Sequence, residues 1–165
     1  MILGLSVSAF TTLHVAISLI AIAAGLVVLY GMIRGMPMPM LNHLFLATTV
    51  ATTLSGFLFP ISGLTPALMT GLVSSILLGA ALFAYYRAHL KGRWRGVYVV
   101  TAVAALYLNC FVLVVQSFQK LGVLQPLAPT QSEPPFLAAQ GTVLLTFVLL
   151  GYLAFKRGRA AVAAN

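Results

Sequence analysis

Five long apolar runs dominate this chain, at residues 7–33, 41–61, 66–86, 97–118 and 136–155. Each is about the 20 residues a helix needs to cross a bilayer. A backbone surrounded by lipid must satisfy its own hydrogen bonds, so such runs have one economical conformation, the α-helix. The expected fold class is therefore an all-α polytopic bundle with five transmembrane helices in a single domain covering residues 1–165. Composition agrees. Only 6% of the residues are charged against 61% hydrophobic, too few charges to cover a water-facing surface, where about 25% is usual. The single cysteine, Cys110, lies inside an apolar run and excludes an internal disulfide. The first run lacks a basic flank and is longer than a signal-peptide core, so it is expected to be a retained helix.

The links between runs carry turn chemistry. GMPMPML (residues 35–41) has two prolines, SGLTP (62–66) offers Thr65 as a cap and Pro66 at a first helical position, and KGRWRG (91–96) is basic. Eight of the nine basic residues fall on one side of the membrane these links define: Arg34, Arg87, Lys91, Arg93, Arg95, Lys156, Arg157 and Arg159. Lys120 is the exception. Cytoplasmic loops carry the Lys/Arg excess, which orients the chain N-out and C-in. The net charge of +8 is then a topology signal and predicts no nucleic-acid partner.

Lipid gives helices little hydrophobic reason to associate, so contacts favour small and hydrogen-bonding residues. One face of the first helix carries Thr11, His14, Ser18, Ala21 and Gly25. The third has Gly71, Ser75 and Gly79, and the fourth Ala102, Ala105, Asn109 and Gln116. The costly polar groups His14, Ser18, Ser55, Asn109, Gln116 and Gln140 all map to the outer half of the bundle. Such residues face the interior or a wet cavity and are candidates for binding, although an interhelical hydrogen-bond cluster is the plainer explanation.

The longest link, LGVLQPLAPTQSEPP (121–135), has four prolines and the only acidic residue, Glu133. Its Thr130, Gln131, Ser132 and Glu133 could form part of a re-entrant pore element in an oligomer. The alternative is a rigid lid, with Glu133 in water or paired with Lys120. Haem b would need two histidines. His43 and His89 map to the inner rim and His14 to the outer half, so a pair forms only at that rim or across a dimer. Met32, Met36, Met38 and Met40 crowd the inner side without a Cys or His-x-His partner, which favours an interfacial loop over a soft-metal site.

No catalytic constellation is present, since one acidic residue cannot supply a carboxylate pair. Two stretches, Tyr98–Lys120 and Leu127–Gln140, together with His14–Gly31 and Phe45–Phe57, resemble a family of small uncharacterised bacterial inner-membrane proteins. The APTQSEPPF loop is the most specific part of that likeness. The resemblance implies a multi-pass protein of the bacterial inner (plasma) membrane and no chemistry. The expected function is non-enzymatic: a small oligomeric channel or permeation protein, or an accessory subunit of a membrane complex, with lipid, further copies or a partner subunit as partners and no metal or cofactor. The alternative is a redox protein holding haem b or a quinone through His14, Asn109 and Gln140.

Overall fold

The computed structural model describes residues 1–60 and 66–163 and is all-helical. Its helices are α1 (Val7–Arg34), α2 (Pro39–Gly56), α3 (Pro66–Leu82), α4 (Arg93–Lys120) and α5 (Pro134–Ala163). Among the described residues four helical stretches are long and apolar enough to cross a membrane: Val7–Arg34, Leu68–Arg87, Arg93–Lys120 and Pro134–Arg157. The helix α2 is long enough, at 18 residues, but falls outside that set because Asn42, His43 and a series of threonines lower its hydropathy.

Local sequence explains the helix ends. Ser6 accepts a hydrogen bond from Ala9 N at 3.1 Å and caps α1. At the other end Gly35 takes φ +71°, Met36 N bonds Gly31 O, and Gly35 N bonds Met32 O, the Schellman arrangement that only glycine adopts cheaply. The helix α2 stops at Gly56, short of residue 61. Phe57 N and Leu58 N bond carbonyls three residues back, and Pro60 disfavours helix at Phe59. Helix α3 passes into a π-helical turn at Phe83–Arg87 instead of running straight to residue 86. The fourth helix begins at Arg93, not residue 97, because Gly92 (φ +53°) makes the turn and nothing in RWRG breaks a helix. The fifth begins at Pro134, where the missing N–H costs nothing, and Glu133 O accepts from Phe136 and Leu137 N. It runs past residue 155 to Ala163, since a charged stretch ends an apolar run without ending a helix. The link at 61–65, with Thr65, and the side chain of Arg159 lie outside the described residues.

The helices form a ring in chain order, each packing on the next, with α5 returning to α1. Helices α1 and α4 also touch across the ring, so α1–α4 form a four-helix barrel and α5 rests on the outside of the α1–α4 seam. The two ends differ. At the end bearing the basic residues, Ala24, Val28, Phe45, Leu46, Ala81, Ala102, Ala105 and Leu106 make one packed core. Gly25 permits it, because a Cβ there would lie 2.6 Å from Leu106 Cδ1 and 2.8 Å from the Phe45 ring. Within this layer the Tyr98 hydroxyl donates to Asn42 Oδ1. Large apolar side chains cover the outside, Ile76 being 74% and Leu145 71% exposed, as a lipid-facing surface requires.

Candidate functional site: a half-open cavity in the four-helix barrel

The opposite end of the barrel is hollow. A cavity of ≈ 670 Å³ lies among α1, α2, α3 and α4. Its length follows from which residues line it. On α1 it runs from Val7 to Ile22 and on α4 from Leu121 to Leu108, so it is roughly 20 Å long at 1.5 Å per residue. One end of the cavity reaches towards the packed core, and the other lies at the α4 end that carries Lys120.

His14, Ser18, Asn109 and Gln116 all line this cavity. Helical spacing puts them there: 14 and 18 are four apart, 109 and 116 seven apart, and each pair shares one face. Ser55 stands behind the wall. Its Oγ lies 2.7 Å from His14 Nδ1 and donates to Thr52 O at 3.1 Å. With the serine proton committed to that carbonyl, His14 Nδ1–H is the donor to Ser55, and Nε2 is left with a lone pair. Phe59 packs edge-on against the imidazole at 5.3 Å and fixes its plane.

Two wall residues carry unsatisfied polar atoms: Asn109 Nδ2 and Thr52 Oγ1 have no hydrogen-bond partner among the described residues. Thr52 differs from most helical threonines of this chain in being buried with its hydroxyl unpartnered. The hydroxyls of Thr11, Thr48, Thr49, Thr101 and Thr142 each bond the carbonyl four residues back. Thr52 does not, and its sequence neighbours hid this; the available signal was its place on one helical face with Ser55 and Gly56. Ser74, buried on α3, and Lys120 near the end of α4 also belong to the wall.

Gln140 is elsewhere. It is buried between α4 and α5, its Nε2 donating to Phe111 O at 3.2 Å and its Oε1 unsatisfied. On α3, Gly71 lines the cavity, but Ser75 and Gly79 are exposed.

The long loop rests against the last turns of α4 and the start of α5 and contributes no residue beyond Leu121 to the cavity wall. Phe118, Ala128 and Phe136 form its small core. Gln131, at φ +59°, donates to Val115 O at 3.0 Å and pins the loop to α4. Glu133 Oε1 accepts from Thr130 N and Oγ1 at 3.0 and 2.8 Å, and Oε2 accepts from Ser132 N at 3.0 Å. Partial desolvation pushes this carboxyl up, but those hydrogen bonds outweigh it and hold the pKa below the usual glutamate value. Glu133 thus ties its own turn together.

His43 packs edge-on against Tyr85 and tilted against Tyr86 at the basic end, with ring centroids 5.5 and 5.6 Å away. His89 is exposed in the turn after α3. His14 is the only histidine on the cavity wall. Among the described residues no three His, Cys, Asp or Glu come together as metal ligands. Met38 packs on Gly31, while Met40 is exposed. Comparison with protein-family models, curated proteins and solved structures gives no match.

Proposed function

We propose that this chain is a five-span protein of a bacterial inner membrane, N-out and C-in, acting as a ligand-binding subunit whose outer-half cavity holds a small amphipathic molecule. The cavity carries this reading: it is large, mainly apolar, and lined with a few polar residues, His14, Ser18, Asn109 and Gln116, as small-molecule sites are. The basic residues support the orientation, since those of the 87–95 segment and the ends of α1 and α5 gather at the packed end. The helix α2 serves as the fifth span by its surroundings. At 18 residues it is about 27 Å long, close to the hydrocarbon thickness, and Asn42, Thr49 and Thr52 face its neighbours instead of lipid.

Permeation through one chain is the weaker reading, because such a path must cross the layer of Phe45, Leu46 and Leu106, each 1% exposed. A route between chains is the second reading, and its motivation is the exposed stripe of Leu145, Val148, Leu149 and Tyr152 on α5. Haem b gains little support from a wall with a single histidine.

Native mass spectrometry of the chain released from lipid nanodiscs tests the binding function. Wild type should retain one amphiphile per chain, and Ser18→Phe, which fills the cavity, should lose it. Equal adducts on both, or none on either, would refute the reading. Solute flux in liposomes that Ser18→Phe leaves unchanged would instead favour the route between chains.

A further inference from the structure

We propose that the occupant of the cavity carries an anionic head, a carboxylate or a phosphate, on an acyl tail, and that Lys120 binds the head. This rests on the reading that the cavity is a ligand site. The wall carries one full charge. Lys120 lines the cavity, and no aspartate or glutamate does. The only acidic residue of the chain, Glu133, holds both carboxylate oxygens against Thr130 and Ser132 in its own loop. No side-chain carboxylate of this chain therefore pairs with Lys120. A cation beside an apolar cavity, with no counter-ion built in, favours a ligand that brings the negative charge itself.

Lys120 is exposed at the last position of α4, so an anion paired with it keeps part of its hydration and avoids the cost of burying a charge. Gln116 lies four residues earlier on the same helical face and also lines the cavity, and its amide N–H groups are donors of the kind an anion accepts from. The rest of the wall suits a tail. Several of its hydroxyls are turned back onto their own helices: Thr11 Oγ1 donates to Val7 O at 2.8 Å, Ser18 Oγ to His14 O at 2.7 Å and Ser117 Oγ to Leu113 O at 2.8 Å. Methylenes passing these groups strand none of those hydrogens. From Lys120 the α4 wall continues inward past Leu113 and Val112 to Leu108, about 18 Å of helix for an acyl chain to follow. A neutral head gains only an ordinary hydrogen bond from the ammonium, and a cationic head meets like charge with no acid to offset it. The helix dipole also favours a cation at the end of α4, but a lysine kept for that reason alone would not sort ligands by charge.

The test uses the full chain in phosphatidylcholine nanodiscs at about pH 8, where a carboxyl group is ionised. Palmitate, hexadecanol and phosphatidylglycerol are added singly at equal mole fraction, and the adducts retained per chain are read by native mass spectrometry. Palmitate or phosphatidylglycerol should occupy the chain about three- to fivefold better than hexadecanol, the effect expected of one charge pair at an exposed site. Which of the two anions is retained better distinguishes a carboxylate from a phosphate head. Lys120→Gln should abolish the preference and Lys120→Arg should keep it. Lys91→Gln, which removes the same charge at the opposite end of α4, should leave it unchanged. If hexadecanol or the phosphatidylcholine of the disc is retained as well as either anion, or if Lys120→Gln keeps the preference, this inference fails; the ligand-binding reading survives where Ser18→Phe still empties the cavity. If wild type retains no amphiphile at all, both fail.

Discussion

Substituting Gly25 by alanine tests the packing that closes the basic end of the bundle. The new Cβ would meet Leu106 Cδ1 at 2.6 Å and Phe45 Cδ2 and Cε2 at 2.8 Å, about 1 Å inside ordinary carbon contact. Phe45 and Leu106 are each 1% exposed and have nowhere to move. Overpacking of this kind costs about 1–3 kcal/mol, and alanine's better helix propensity returns at most about 1 kcal/mol. The expected net loss is about 1–2 kcal/mol. Leu106→Ala alone should cost about 2–3 kcal/mol, the lower part of the usual range, because helices unfolded within lipid keep their apolar surface out of water and lose chiefly packing. In the double variant the alanine methyl occupies space that Leu106 has vacated, so the combined loss should fall short of the sum by about 1 kcal/mol. Reversible unfolding by SDS in mixed micelles measures all three, followed by fluorescence of the single tryptophan, Trp94, which packs on Phe83 at 4.9 Å. A neutral Gly25→Ala, or effects that add within about 0.5 kcal/mol, would refute the idea that this contact is saturated.

Tyr98→Phe strands Asn42 Oδ1 beside an already unsatisfied Nδ2 and should cost about 1–3 kcal/mol in the same unfolding assay, while adding Asn42→Leu to it should recover part of that loss. Gln140→Leu removes one hydrogen bond together with one orphaned oxygen and should stay within about 1 kcal/mol of wild type. Glu133 has a lowered pKa in the folded loop, so its contribution is present above the unfolded glutamate value of about 4.3 and is lost as pH falls through the folded pKa. Amide exchange at Thr130 and Ser132 should therefore accelerate on acidification below about pH 4 relative to neighbouring amides, and Glu133→Gln should remove that extra pH dependence.

How much of this was legible in the sequence depends on the range of the interaction. Helices and their faces follow from a period the sequence repeats, so Thr11, His14 and Ser18 on α1 and Asn109 and Gln116 on α4 were grouped before any partner was known, and they share one cavity. The loop's own turn is legible because its contacts are local, Glu133 to Thr130 and Ser132, with Gln131 reaching only sixteen residues back to Val115. Gln140 was grouped with the cavity by depth alone. Depth fixes position along the membrane normal and says nothing about position around the bundle, and α5 lies outside the barrel. Thr52 was missed for a different reason. A threonine in a membrane helix usually bonds its own backbone, so sequence cannot single out a buried one that does not.

The division of the bundle into a packed half and a hollow half comes from side-chain size in register. Near the basic end Gly25, Ala102 and Ala105 bring α1 and α4 close, and Phe45, Leu46 and Leu106 fill what remains. Towards the other end the α1 and α4 faces carry medium-sized polar groups, Thr11, His14, Asn109 and Gln116, which neither allow such close approach nor fill the space between. Filling the hollow with small apolar side chains would satisfy packing but would also remove every group able to fix a ligand's orientation. Near the hollow, Thr52 Oγ1 and Asn109 Nδ2 are buried without a hydrogen-bond partner among the described residues, and Thr52→Val and Asn109→Leu remove both defects. Those two substitutions should therefore raise resistance to SDS, by up to about 1 kcal/mol each. A loss of stability instead would show that the hydroxyl and the amide are satisfied in the native bundle.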